Sequence, residues 1–233
     1  MTPIERATFL LHAELDDFQA RIASAKRIIS DALKQSKHPY VAYSGGKDSL
    51  VMAHMVLLAC PDALIWHFWY GPYYFPVEME NEVLRAAHTI GAANTRIDTS
   101  EKYRQGRSQK NVFFPTLHGK IIPRLLSEGY DLAFIGLRKE ESGRRKAKAA
   151  KHMRCDGQMI ECYPIADLTA RDIWAYIVTH NLPYCSHYDR YGVLLGIEQV
   201  RMSTFFDSEF DRLGAGNLDG ILMTKFKHPT SRQ

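Results

Sequence analysis

What this chain has little of narrows it first. No stretch of its 233 residues reaches the length of a membrane span, which needs roughly 18 consecutive apolar residues. Its beginning, Met1-Thr2-Pro3-Ile4-Glu5-Arg6, has no apolar signal-peptide core, so a cytosolic protein is expected. Cysteine is scarce: Cys60, Cys155, Cys162 and Cys185 form no CxxC pair and no zinc spacing. In a reducing cytosol all four are expected as free thiols, although Cys155 and Cys162 flank an Asp156-Gly157 turn signal and could face each other across a hairpin. A strong excess of one charge is missing too. The 30 basic and 26 acidic residues leave a net charge of +4, which suits an anionic ligand and does not by itself indicate nucleic-acid binding. No internal repeat or low-complexity segment interrupts the chain. What is there is a hydrophobic content of 45% with 11% aromatics, enough to build the core of one domain, with or without an appendage.

Residues 2 to 36 read as one long helix or two in succession. Thr2 can cap, Pro3 suits the first helical position and Glu5 completes a capping box. Apolar residues recur three or four apart at Ile4, Ala7, Leu11, Leu15, Phe18, Ile22, Ala25, Ile29 and Leu33. That stripe must bury itself on the domain or on a second copy of the chain, the latter giving a homodimer. Beyond it the chain alternates. Pro39 to Ala42, Ala63 to Trp69, Asn94 to Thr99 and Tyr130 to Leu137 read as strands, with helices at Leu50 to Leu58, at 76 to 91 and up to Ser127. Residues 100 to 115 are polar, basic and loop-like. Strands and helices alternating at this spacing imply right-handed crossovers, hence an α/β fold with a parallel twisted sheet covered by helices on both faces. The expected divisions are an N-terminal helical appendage (1–37), the α/β domain (38–192) and a C-terminal helical extension and tail (193–233).

The stretch Tyr43-Ser44-Gly45-Gly46-Lys47-Asp48-Ser49 joins the first of these strands to the helix after it. A strand, a glycine turn and a helix N-terminus make an anion site, because the first N–H groups of the helix have no partner within it. Gly45 and Gly46 allow positive φ and close approach of a ligand. Ser44 and Ser49 add hydroxyls and Lys47 a positive charge. The spacing is not that of a Walker A loop.

In this setting Ser-Gly-Gly-Lys-Asp-Ser resembles the pyrophosphate loop of the N-type ATP pyrophosphatases and, within them, the phosphoadenosine-phosphosulfate (PAPS) reductase-like group. Tyr74-Phe75-Pro76-Val77-Glu78 resembles that group's Phe-Pro-Glu segment, although the preceding strand ends in aromatic residues, Trp66 to Tyr70, where the group has an aspartate and a glycine. Ile135-Gly136-Leu137-Arg138, Glu141-Ser142 and Arg144-Arg145 match its Gly-Leu-Arg…Glu-Ser…Arg signature. Tyr163 to Thr169, Asp172 to Ile177 and Leu182-Pro183-Tyr184 match its next segment, so that the likeness runs from about 39 to 192.

The resemblance implies an adenine nucleotide α-hydrolase-like fold and a site for ATP with Mg2+. On it, Ala42, Tyr43, Ser44, Gly45, Gly46, Lys47, Asp48, Ser49, Gly136, Arg138 and Arg145 bind nucleotide, and Lys47, Asp48, Arg138 and Arg144 carry catalysis. Lys47 and the serines orient the phosphates. Asp48 holds magnesium or orients the loop, with capping of the following helix as the plainer alternative. The arginines stabilise charge on the α phosphate and on departing pyrophosphate. The basic stretch from Arg138 to Lys151 reads as a lid over triphosphate, as a solvated basic loop or as a groove for a nucleic-acid backbone, which Arg104, Arg107 and Lys110 could extend. His54, His67, His118 and His187 are scattered and read as structural.

The reductases of the group act through a cysteine in a C-terminal Glu-Cys-Gly-Leu-His tail, and no cysteine follows Cys185 here. The expected function is therefore an ATP pyrophosphatase that cleaves between the α and β phosphates and adenylates an acceptor, such as DNA or a sulfur-donor protein, in sulfur transfer or DNA phosphorothioation. The alternatives are a sulfonucleotide reductase supplied with an external thiol and a non-catalytic, DNA-associated nucleotide sensor.

Overall fold

The computed structural model describes residues 1–72, 75–101, 113–157, 159–202 and 221–223. Its centre is a six-stranded sheet built from β1 (Pro39–Tyr43), β2 (Leu64–Trp69), β3 (Thr95–Thr99), β4 (Leu132–Ile135), β5 (Met153–Asp156) and β6 (Met159–Cys162), in the order β3-β2-β1-β4-β6-β5. All neighbours pair in parallel except β5 with β6. The order turns at β1: the chain steps outward to β2 and β3, then returns to place β4 on the other side of β1. Ligands of open parallel sheets bind beyond the strand C-termini at such a reversal.

Alternation along the strands supplies both buried faces. Val41, Tyr43 and Ile65 point into one core, shared with α2 (Asp16–Leu33), α3 (Lys47–Ala59), α4 (Val77–Thr89) and α8 (Ala170–Thr179). Tyr40, Trp66, Phe68 and Ala133 point the other way, against Ile121 and Leu125. That second cover is a composite helix: α5 (Phe113–Thr116), a π-helical turn (Leu117–Ile121) and α6 (Ile122–Ser127). The expected α/β class with helices on both faces is what the chain adopts. The remaining helices are α1 (Pro3–Ala13), α7 (Gly143–Lys148) and α9 (His187–Leu195).

The N-terminal stretch is two helices rather than one long one. Thr2 and Glu5 form the capping box of α1, and the chain breaks at Glu14 and Leu15 before α2. The break explains why the expected stripe is only partly buried. Phe18, Ile22, Ala25 and Ile29 join the domain core, whereas Ile4, Leu11 and Leu15 are 80%, 71% and 51% exposed. Asp172 ties both helices down: its buried carboxylate accepts from His12 at 2.7 Å, from Arg21 Nε at 2.8 Å and from the Thr169 N–H at 2.8 Å. That last bond belongs to the capping box of α8, so the Leu168-Thr169…Asp172 motif first serves helix initiation and tertiary anchoring.

One expectation is corrected here. Cys155 pairs with Ile160, and Cys162 with Met153, so the two thiols do not face each other across the β5–β6 hairpin. The register puts Cys155 at the surface and Cys162 in the core. Most of the segment after 192, expected as a C-terminal helical extension and tail, lies outside the described residues. After α9, its described part is a 3-10 turn (Ile197–Gln199) and β7 (Val200–Met202), paired antiparallel with β8 (Ile221–Met223). No helix among the described residues is long and apolar enough to cross a membrane.

Candidate functional site

The loop between β1 and α3 is three residues long, Ser44-Gly45-Gly46, and largely self-tied. The Ser44 N–H donates to Ser49 Oγ at 3.2 Å, the two serine hydroxyls lie 3.0 Å apart, and Ser49 Oγ donates to the Gly46 carbonyl at 3.0 Å. The Lys47 N–H donates to the Tyr188 hydroxyl at 2.9 Å. Among the described residues the N–H groups of Asp48 and Ser49 have no partner, and they stand at the positive end of the α3 dipole, ready for an anion. Gly136 makes the approach of β4 possible, since a Cβ there would lie 3.0 Å from Ser49 Cα.

Behind the loop lies a buried charge cluster. The Lys47 side chain is 1% exposed and Arg138 3%. Asp48 Oδ2 lies 3.2 Å from Lys47 Nζ, and Asp48 Oδ1 lies 2.5 Å from Arg138 Nε. Arg138 also pairs with Glu140. Burial alone would raise the Asp48 carboxyl, but the two cations overcome it and hold it down to about 2. Burial pushes the Lys47 ammonium down, against the pull of Asp48.

The loop forms one wall of a cavity of about 430 Å³ at the C-terminal ends of β1, β2 and β4. Of the residues expected to bind nucleotide or carry catalysis, Ala42, Tyr43, Ser44, Gly46, Asp48, Ser49, Gly136 and Arg145 line it, whereas Gly45, Lys47, Arg138 and Arg144 do not. Lys47 and Arg138 act from behind, setting the loop through Asp48. Of the roles expected for Asp48, orienting the loop fits the geometry. Each carboxylate oxygen is paired with a cation, which is that role. Arg144 is exposed. Arg145 sits on the cavity wall, paired with Glu141, which also holds Arg201 at 3.3 Å. Arg104, Arg107 and Lys110 lie outside the described residues.

Part of this wall goes beyond the residues expected to bind phosphate. Trp66, Phe68, Tyr70 and Phe113 form its aromatic side, with Phe68 and Phe113 edge-to-face at 5.0 Å. The alternation of β2 was the available signal for Trp66 and Phe68. Arg201 and Met202 come from β7, and Tyr188 from α9. None of the four cysteines lines the cavity. Burial pushes the Cys185 and Cys162 thiols up to about 12, the opposite of an activated nucleophile. Among the described residues no group of three or more histidine, cysteine or acidic side chains could hold a metal.

A family model described as the phosphoadenosine phosphosulfate reductase domain matches residues 38–218. The chain belongs to that family. The match runs past residue 192, where the motif likeness ends, and takes in the β7 residues of the cavity wall. Among its relatives is a phosphoadenosine 5'-phosphosulfate reductase of Xylella fastidiosa (strain M23), 31% identical over 177 residues, covering 68% of this chain and 70% of that one. A sulfate adenylyltransferase subunit 2 of Mycobacterium sp. (strain JLS) is 24% identical over 223 residues, covering 79% of this chain and 71% of that one. The fold is similar to that of a PAPS reductase from Candida auris solved as a phosphate complex, with a TM-score of 0.52 and 15% identity over 82% of this chain and 92% of that one. It is equally similar to the U34-tRNA thiolase NcsA of Methanococcus maripaludis, with a TM-score of 0.52 and 16% identity over 78% and 76% of the two chains.

His187, at the start of α9, gives this region a pH dependence. Its ring is buried and neither nitrogen has a hydrogen-bond partner among the described residues. Burial pushes its pKa down to about 4. Between that value and about 6.5, the ordinary histidine pKa, the unfolded chain binds a proton that the folded chain refuses. Stability is therefore expected to fall as pH drops through this window, by on the order of 3 kcal/mol from this group. Urea unfolding of wild type and His187→Leu at pH 7.5 and pH 5 checks it. The variant should lose less stability on acidification, and an equal loss in both proteins would remove His187 as the cause.

Proposed function

We propose that this protein binds Mg·ATP in the cavity and transfers its adenylyl group to an acceptor, releasing pyrophosphate. The observation that carries this reading is a cavity with free helix N-terminal amides and arginines but no thiol on its wall. In the step proposed, a nucleophilic atom of the acceptor bonds to the α phosphorus while the bond from it to the bridging oxygen of the β phosphate breaks. The Asp48 and Ser49 amides and Arg145 hold the charge that gathers on the departing pyrophosphate. Adenine has the aromatic wall of Trp66, Phe68, Tyr70 and Phe113 to lie against. Magnesium enters with the nucleotide as part of the substrate, and no protein carboxylate is assigned to it. The relatives named sulfate adenylyltransferase subunit 2 support ATP as the nucleotide, and those named reductase support a sulfonucleotide.

Equilibrium binding of Mg·ATP in competition with PAPS tests the choice. ATP should be preferred, and Arg145→Ala should weaken it by about tenfold to a hundredfold, the range for hydrogen bonds to a charged group. Preference for PAPS would overturn the reading and leave a reductase served by an external thiol. Duplex DNA and a persulfide-bearing protein are the acceptors to supply in the turnover assay, which should yield AMP-linked acceptor and pyrophosphate.

A further inference from the structure

Two buried side chains on the cavity wall have no part in phosphate binding as described. His67 comes from β2 and Glu80 from α4, and both line the cavity. His67 Nδ1 lies 2.8 Å from the Tyr43 carbonyl oxygen. A carbonyl can only accept, so Nδ1 carries the proton. His67 Nε2 lies 3.1 Å from each oxygen of Glu80, and its hydrogen bond is directed to Oε2. The other oxygen, Oε1, is buried and has no hydrogen-bond partner among the described residues, in a residue that is only 5% exposed. A contact between Nε2 and Oε2 needs one proton, held by the imidazole or by the carboxyl. In either state Oε1 is an acceptor with no donor among the described residues.

The other cavity carboxylates are spent. Asp48 is shared between Lys47 and Arg138, and Glu141 holds Arg145 and Arg201. A buried acceptor left unsatisfied costs about 1–3 kcal/mol, which a ligand's donor would recover. Its position narrows the donor. Tyr43 and His67 are register partners on β1 and β2, so the pair stands one strand spacing, about 4.8 Å, from the start of the phosphate loop. Trp66 and Phe68 flank His67 in sequence and point to the opposite sheet face. With phosphates on the Asp48 and Ser49 amides and the base against the aromatic wall, the group between them is the sugar.

We infer that Glu80, positioned by His67, accepts a hydrogen bond from a ribose hydroxyl of the bound nucleotide and thereby selects nucleotides whose 2′- and 3′-hydroxyls are both free. The proposal rests on the adenylyl-transfer reading and adds to it the form of the sugar. A 3′-phosphate would bring oxygens that are themselves acceptors against Oε1, with no proton to share. This side chain would then turn the site toward ATP and away from 3′-phosphorylated nucleotides.

Calorimetric binding of ATP, 2′-deoxyATP, 3′-deoxyATP, adenosine 3′,5′-bisphosphate and inorganic tripolyphosphate tests it on wild type, Glu80→Ala and Glu80→Gln. On wild type, at least one deoxy analogue should bind about tenfold more weakly than ATP, the worth of one hydrogen bond to a charged group. The bisphosphate should be weaker than either. Glu80→Ala should erase the gap between ATP and the deoxy analogue while keeping tripolyphosphate binding, which reports an intact loop. Glu80→Gln can donate its amide to His67 and present its carbonyl oxygen at the Oε1 position, so it should keep the gap. Wild type that binds ATP and both deoxy analogues equally overturns this inference and leaves the adenylyl-transfer reading standing. A gap unchanged in Glu80→Ala does the same. Tripolyphosphate binding without any ATP binding by wild type overturns both.

Discussion

Asp48→Ala is expected to cost about 3–5 kcal/mol of folding free energy, seen as a lower urea midpoint. It should abolish nucleotide binding at the same time. The carboxylate is the shared counter-charge of two buried cations, Lys47 and Arg138. Without it both remain inside the protein with the desolvation of a buried charge uncompensated. A small domain has only about 5–15 kcal/mol of stability in total, so the loss takes a large share. Arg138 keeps Glu140 as a partner, which leaves Lys47 the more stranded of the two. Adding Lys47→Met to Asp48→Ala should therefore return part of the lost stability, because removing an unpaired buried charge is favourable. Stability would return without function, since the α3 N-terminus would no longer be held. If Asp48→Ala unfolds like wild type, Asp48 does not carry this cluster. Acid makes the same point without mutation. The carboxyl is held below its ordinary value, so its contribution is present above about pH 4 and is lost as pH falls through about 2.

The loop could be read from sequence because its determinants are local. Two glycines, a lysine and an aspartate between an apolar strand and an apolar helix admit few other conformations, and the strand–helix alternation around them needs only periodicity. The division of labour within the loop could not be read. Asp48 meets Arg138 across 90 residues, and only the pairing of β1 with β4 brings them together, which turns two expected ligand contacts into an internal pair. Arg144 and Arg145 are neighbours in a basic run, and the α7 turn alone sends one outward and the other to the cavity. His67 read as structural for want of a partner. Glu80 reaches it only because α4 packs across the end of β2. The N-terminal stripe left one helix or two open for a different reason. Its spacing is regular through Leu11 and Leu15, but the chain breaks there, and each helix presents its own face.

Gly45→Ala carries the second large effect, and a double variant can separate its two causes. Gly45 has φ at +81°, a region that costs an L-residue about 1–3 kcal/mol to occupy. An added Cβ would also lie 2.4 Å from Val83 Cγ2 and 2.5 Å from Cγ1. Val83 is fully buried on α4, and the Tyr43 hydroxyl donates to its carbonyl at 3.2 Å. The valine cannot step back without pulling on the strand that precedes the loop, so the loop is expected to move instead. Overpacking of this kind costs about 1–3 kcal/mol, and together the two effects should lower stability by about 2–6 kcal/mol. Tripolyphosphate binding should fall below detection, because the Asp48 and Ser49 amides shift with the turn. Val83→Ala in the same chain removes both γ carbons and leaves only the Cβ, 3.0 Å away, to be relieved by a small shift of α4. Relative to Val83→Ala alone, the double variant should then show mainly the backbone part of the loss, and tripolyphosphate binding should return. A double variant as damaged as the sum of its parts would mean that the positive φ, and not contact with α4, is what reserves this position for glycine.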